Sequence, residues 1–127
     1  MPFDWANYLI LAQQLATKAD EASMRTAISR AYYCVFNIAF ARAESTVGKK
    51  SVGETFHKWC WDQCKNTPDQ VCRQLGIDGE RMKWKRVKVD YYKADIPRLD
   101  DEVKRMLQEA GQFLQDLGNL NPRYPSP

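Results

Sequence analysis

A basic and aromatic segment between residues 81 and 93 is the part of this sequence best suited to bind another molecule. Six Lys or Arg side chains in it are interleaved with Trp84, Tyr91 and Tyr92. Cations can bind the phosphates of a nucleic acid while aromatic rings stack on its bases, a combination used to bind single strands. The residues that we expect to contact RNA are Lys83, Lys85, Lys88 and Tyr92. A solvated helix face with buried aromatic residues explains the pattern equally well.

Two arginines of the chain are expected to have acidic partners. Arg86 and Asp90 are four residues apart and could form a pair on one helix, which contributes only a few tenths of a kcal/mol. Arg30 lies in an apolar segment, where a charged side chain needs a partner if it is buried. We therefore predict a structural ion pair between Arg30 and Asp90 that links two helices.

His57 is the only histidine of the chain, and Cys60 and Cys64 follow it at three and seven residues. This spacing places three possible zinc ligands on one helical face, and Cys72 could be a fourth. Zinc sites, however, usually contain paired Cys-x-x-Cys clusters, and buried cysteine is a common small apolar residue. We therefore predict free thiols and no bound metal or other cofactor.

The composition limits the classes of protein to which the chain can belong. Its 127 residues, 44% of them apolar and 28% charged, predict one globular domain. Membrane-spanning segments need roughly 20 apolar residues, and none are found, nor does the N-terminus resemble a signal peptide. We therefore expect a cytoplasmic protein without a membrane partner. The net charge of +3 is too small to identify a nucleic-acid-binding protein by itself.

The spacing of apolar residues predicts an all-α, up-and-down bundle of about five helices in residues 1–118. The second of these helices is apolar on nearly all sides and should lie at the centre of the bundle. Gly76 and Gly79 should separate a short helix from the long basic one. Residues 119–127 contain three prolines and are expected to form a tail. The predicted helices cover residues 4–19, 24–42, 54–65, 69–75, 80–93 and 97–118.

Three segments resemble signature segments of the HEPN superfamily, a group of small helical domains. The first is Met24-Arg25-Thr26-Ala27-Ile28-Ser29-Arg30-Ala31-Tyr32-Tyr33-Cys34-Val35-Phe36. The second is Arg86-Val87-Lys88-Val89-Asp90-Tyr91, which is similar to an Arg-x-x-Ala-Asp-Tyr segment with valine in place of alanine. Between them lies His57-Lys58, like a His-Lys pair at the start of a third helix. The resemblance implies a HEPN-like bundle.

Many HEPN proteins are dimeric, metal-independent ribonucleases in which a histidine follows an arginine by four to six residues. The resemblance therefore implies that Arg86 is catalytic. The positions where the histidine is expected hold Asp90, Tyr91 and Tyr92, so this chain departs from the catalytic pattern. The candidates that remain for proton transfer are Tyr91 and, from another helix, His57.

RNA cleavage without a metal needs a cation to stabilise the charge on phosphorus and groups that move protons. Arg86 is suited to the first role because its guanidinium is always charged and fits phosphate oxygens. Tyr91 is a poorer proton carrier than histidine, because its ordinary pKa near 10 keeps it protonated at neutral pH. His57 has a suitable ordinary pKa.

Two functional hypotheses follow from the resemblance. In the first, the protein is a HEPN-like component of a prokaryotic toxin-antitoxin or phage-defence system that binds RNA as a homodimer, with metal-independent endoribonuclease activity as an open question. In the second, it is a non-catalytic helical adaptor for a partner such as a nucleotidyltransferase-type antitoxin or another defence protein.

Overall fold

The computed structural model describes residues 3–50, 55–92 and 94–126, and these residues form five α-helices, as predicted. A π-helix at Lys88–Tyr92 continues the fourth of them. The prediction of an all-α bundle is therefore confirmed. The α-helices are α1 (Ala6–Leu15), α2 (Glu21–Val47), α3 (Phe56–Lys65), α4 (Gln70–Val87) and α5 (Leu99–Asn119).

The starts of three helices are fixed by side chains that cap them. Asp20 accepts a hydrogen bond from the backbone N–H of Ser23 at the start of α2. Thr55 accepts one from the N–H of Lys58 at the start of α3, and Asp69 one from the N–H of Cys72 at the start of α4. Such caps satisfy backbone donors that a first helical turn leaves without a partner. Helix α2 therefore begins at Glu21, directly after Asp20 and three residues before its predicted start at residue 24.

Helix α2 is the centre of the bundle, as its apolar composition predicts. It contacts each of the other four α-helices and the π-helix. Its buried residues include Ala27, Ala31, Tyr32, Val35 and Ala39. Small residues at four-residue spacing let neighbouring helices approach closely. The helix also continues to Val47, beyond its predicted end at residue 42. Of the residues between the second and third predicted helices, 51–53 lie outside the described part of the chain.

The predicted break at Gly76 and Gly79 is wrong, because α4 runs through both without interruption. A Cβ atom added at Gly76 would lie 2.8 Å from the carbonyl oxygen of Trp61, and one at Gly79 would overlap the Trp61 ring. Trp61 is fully buried. The two glycines are therefore required by the close contact of α3 with α4, and they do not end a helix.

The C-terminal segment after α5 packs back onto the bundle. Arg42 of α2 donates hydrogen bonds to the carbonyl oxygens of Leu117, Leu120, Asn121 and Tyr124, at 2.8 to 3.1 Å. These carbonyls belong to the last turn of α5 and to the segment after it, and those of Leu117 and Asn121 also accept a backbone N–H, from Leu120 and Tyr124. One guanidinium group thus holds the proline-rich tail against the bundle, which sequence reasoning did not anticipate.

Arg25 has a similar role at the other end of α2. Its guanidinium donates to the carbonyl oxygens of Val89, at 2.7 Å, and Ala94, at 3.2 Å, while its Nε bonds Glu21. The first of these carbonyls belongs to the π-helix, whose wider turns are rare and tend to occur at functional sites. Arg25 therefore fixes the π-helix relative to α2.

No helix of the described ranges has the length and apolarity that crossing a membrane requires.

The glycine contacts predict the effect of two matched substitutions. Gly79→Ala should destabilise the protein by about 1–3 kcal/mol, because the added methyl group overlaps the Trp61 ring in a packed core. Gly111→Ala in α5 has open space around it and should instead stabilise by roughly 0.5–1 kcal/mol. Urea unfolding monitored by circular dichroism measures both. Equal effects of the two changes would contradict the assigned helix contact.

Candidate anion-binding site

Arg86 lies in the last turn of α4 and is buried, with 7% of its surface exposed. Its Cζ atom lies 5.1 Å from the ring centre of Tyr33, 5.7 Å from that of Tyr32 and 5.6 Å from that of Tyr91. Arginine stacks favourably on the faces of aromatic rings. Arg86 and Tyr91 are therefore neighbours. Positions five apart share a face where the backbone follows π-helical bonding, which explains how they meet.

A second arginine lies on the same ring. The Cζ atom of Arg30 is 5.1 Å from the centre of Tyr33 and 4.9 Å from that of Tyr8 in α1. Arginines and tyrosines therefore alternate from Tyr8 through Arg30, Tyr33 and Arg86 to Tyr91. We refer to these five residues as the arginine-tyrosine stack. It joins α1, α2, α4 and the π-helix.

The two arginines of the stack make little use of their hydrogen-bond donors. A guanidinium group carries five N–H donors. Arg86 donates no hydrogen bond to any described residue, and the single bond from Arg30 is a long one, 3.5 Å from Nη2 to the Ser29 hydroxyl. The Nε atom of each arginine is buried without a partner. Buried donors usually have acceptors. In this stack most of those acceptors are missing, and a bound anion would provide them.

The predicted ion pair between Arg30 and Asp90 is wrong, since no ion pair joins the two among the described residues. Asp90 instead lies 3.7 Å from Nη1 of Arg86 on its own helix, and it accepts a hydrogen bond of 3.1 Å from the Ser29 hydroxyl. The Asp90 side chain is 27% exposed. One partly solvated carboxylate at this distance offsets only part of the charge of two arginines.

His57 lies beside the stack at the start of α3. Its Nδ1 is 2.6 Å from the Tyr32 hydroxyl, to which Trp61 Nε1 donates a hydrogen bond of 3.2 Å. An indole N–H can only donate, so the Tyr32 proton is available for Nδ1. Because Tyr32 is fully buried, that proton needs an acceptor, and Nδ1 provides it. The proton of the imidazole then resides on Nε2, which has no hydrogen-bond partner among the described residues.

Burial, followed by the nearby charges of Arg86 and Lys83, lowers the pKa of His57 to about 4. Its ring also stacks on Phe36, with 4.0 Å between ring centres. His57 is therefore neutral at neutral pH and can donate a hydrogen bond from Nε2, but it cannot release or accept a proton readily in this state. The site as it stands favours binding of an anion over proton transfer.

The residues predicted to contact RNA do not share one face: Lys83 and Lys85 lie on different sides of α4, and Lys88 lies on the π-helix. Lys83 lies near His57, and its Nζ is 4.6 Å from the ring centre of Trp84. Lys85 instead points to α5, where it pairs with Glu109 at 3.2 Å. Lys88 is exposed on the π-helix, and the side chain of Tyr92 lies outside the described part of the chain. The predicted basic segment is therefore not one continuous cationic surface.

The cysteines do not join His57 in a common site. All four are buried and reduced, and none of the described residues form a cluster of three or more His, Cys, Asp or Glu side chains that could hold a metal ion. Contact with Cys72, together with burial, raises the pKa of Cys64 far above its ordinary value. Burial also raises the pKa of Cys34 and that of Cys60, so these three thiols are protonated core residues. The hydrogen bond with Cys64 instead lowers the pKa of Cys72.

Sequence reasoning missed Tyr8 and Tyr33 as members of the site. Tyr33 could have been found, because Arg30 and Tyr33 are three residues apart and share a helix face. Tyr8 belongs to another helix, and no local pattern links it to Arg30.

Comparisons of the chain with models of protein families, with curated proteins and with solved structures find no match. The resemblance to the HEPN superfamily therefore stays a prediction based on the sequence segments.

The low pKa of His57 makes the stability of the protein dependent on pH. The unfolded chain takes up this proton near pH 6.5 and the folded chain near pH 4. Between these values the unfolded state binds more protons, so the free energy of unfolding should fall as the pH is lowered from 6.5 to 4. His57→Gln should remove this part of the pH dependence.

Two measurements check this prediction: urea unfolding at several pH values, and NMR titration of the imidazole, whose signals are unambiguous because the chain has one histidine. Titration at the ordinary pKa of 6.5 would contradict the hydrogen bond from Tyr32 and the burial of the ring.

Proposed function

We propose that the protein is a HEPN-like component of a prokaryotic toxin-antitoxin or phage-defence system that binds single-stranded RNA. The observation that carries the proposal is the arginine-tyrosine stack, in which two guanidinium groups have almost no acceptors. Tyrosine rings cover their faces and each Nε is buried, so the terminal N–H donors are the groups that remain for a ligand. Planar guanidinium edges suit phosphate oxygens.

Several neighbouring groups support a nucleic acid as the source of that phosphate. Lys83 adds a second type of cation beside Arg86, and His57 offers a neutral N–H donor. The exposed ring of Tyr91, which is 69% exposed, lies at the same place and can stack on a base. Cations and accessible rings at one place are typical of single-strand binding.

Metal-independent cleavage of RNA is the second candidate function, and the contact between Arg86 and Tyr91 favours it. Arg86 would stabilise the charge on phosphorus, and Tyr91 would donate a proton to the leaving oxygen. The weak point of this mechanism is the base that activates the 2′-hydroxyl, since the Nε2 of His57 carries a proton. We therefore expect binding to dominate and cleavage to be slow.

A homodimer is part of the proposal, and an exposed apolar stripe on α4 supports it. Ile77 and Trp84 are spaced seven residues apart and are 50% and 56% exposed. In an antiparallel pairing of two copies centred on Trp84, Glu80, which also pairs with Lys65 of its own chain at 2.9 Å, would face Lys88 of the partner subunit. Opposite charges at such positions favour pairing. The same stripe could instead bind a nucleotidyltransferase-type antitoxin, as the adaptor hypothesis predicts.

RNA binding can be tested by substituting the stack arginines. Arg86→Gln and Arg30→Gln should each weaken binding of a single-stranded RNA decamer roughly ten- to a hundredfold, since a hydrogen bond to a charged group contributes roughly 1.5–3 kcal/mol. Each change should also reduce the slope of log K against log salt by about 0.7. Fluorescence anisotropy measures both quantities.

Arg81→Gln is the matched control, because Arg81 is on α4 but pairs with Glu109 and Asp78. It should leave RNA binding nearly unchanged. If the wild-type protein does not bind RNA, or if all three variants bind alike, the proposed function is wrong. RNA that is cut in the presence of a chelator, and left intact by Arg86→Gln, would make the protein a ribonuclease.

Dimer formation has its own test. Trp84→Glu should convert a dimer to a monomer, because it places two like charges against each other at the centre of the proposed pairing. Light scattering after size-exclusion chromatography measures the mass. Ile10→Glu, at a similarly exposed apolar position on α1, is the control and should stay dimeric. A wild-type protein that is monomeric at every concentration would rule out the pairing.

A further inference from the structure

An open depression lies next to the arginine-tyrosine stack, between α1 and α2. Its volume is about 340 Å³, which is within the usual range for sites that bind small molecules. One cation and one amide face it among four aromatic rings. The residues that line it are Trp5, Tyr8, Arg30, Tyr33, Phe36 and Asn37.

Arg30 is the charged group of this depression, and it lacks a counter-ion. None of the described carboxylates forms an ion pair with it. Its one hydrogen bond, to Ser29, is at the limit of bonding distance, and its Nε is buried without an acceptor. A guanidinium group in these surroundings is stabilised when an anion reaches its terminal nitrogens.

The rings around Arg30 are held in place by one another. Trp5 and Tyr8 contact edge to face, with 5.3 Å between ring centres, and the face of Tyr8 is turned to Arg30. Trp5 is half-buried and offers the largest ring surface of the depression. Rigid aromatic surfaces of this kind bind flat rings by stacking.

Asn37 supplies the polar group on the floor. Its Nδ2 donates a hydrogen bond of 2.7 Å to the Tyr33 carbonyl oxygen, which fixes the orientation of the amide. Its Oδ1 has no partner among the described residues, so this oxygen can accept a hydrogen bond from a ligand N–H. An anion site, a stacking surface and an acceptor therefore lie within one depression.

We propose that this depression is a base-binding subsite that takes one unstacked nucleobase of a single-stranded RNA. The base stacks against Trp5, an N–H group at its edge donates to Asn37, and the phosphate of the same nucleotide binds Arg30. This proposal rests on the proposed RNA binding and adds the position of one base. A duplex cannot occupy the subsite, because its bases are paired and stacked.

The test uses an RNA decamer with one 2-aminopurine, a base whose fluorescence falls when it stacks. Binding to the wild-type protein should quench the fluorescence, and Trp5→Leu should abolish most of the quenching and weaken binding about tenfold. Phe56→Leu, at an exposed ring outside the depression, is the matched control and should behave like the wild type. The same decamer in a duplex should bind more weakly.

The outcomes separate this proposal from the proposed function. If the decamer binds without quenching and Trp5→Leu binds as tightly as the wild type, RNA binding stands and the subsite is wrong. If no RNA binds, but adenosine monophosphate shifts the NMR signal of the Trp5 indole, the proposed function fails and the subsite stands as a mononucleotide site. If neither ligand binds, both proposals are wrong.

Discussion

The stacking of two guanidinium groups on tyrosine rings is the interaction on which the rest of this site depends. Arg86 and Arg30 share the ring of Tyr33, and each is held mainly by contact with ring faces. This arrangement differs from an ion pair, in which a carboxylate would occupy the N–H donors. Ring contacts hold the arginines in position and leave their charge only partly compensated. A binding site for an anion needs both properties at once.

The surrounding helices can be understood from this requirement. The close contact of Gly76 and Gly79 with α3 brings α4 near the middle of the bundle, and α4 carries Arg86. The π-helix then turns Tyr91 toward the same arginine, and Arg25 holds that turn on α2. Each of these features contributes to the position of one guanidinium group. The bundle therefore serves to position the site as well as to bury apolar surface.

The half-buried His57 shows how surroundings change the chemistry of a residue. A histidine near an arginine and a tyrosine is usually a candidate for proton transfer. Here the hydrogen bond from Tyr32 occupies Nδ1, and burial with nearby cations lowers the pKa of His57 to about 4. The same residue is therefore a neutral hydrogen-bond donor at neutral pH. The role of His57 is therefore decided by burial and hydrogen bonding, and not by its residue type alone.

The sequence alone determined the helical class and the central place of α2, because these depend on the local spacing of apolar residues. Arg86, Tyr91 and His57 became candidates through the resemblance to HEPN segments, combined with the chemistry that these residue types allow. Only the tertiary structure decided that Arg30 meets Tyr33 and not Asp90, and that Gly79 continues a helix. Those outcomes depend on which side chain of another helix lies opposite, and no local pattern encodes that contact.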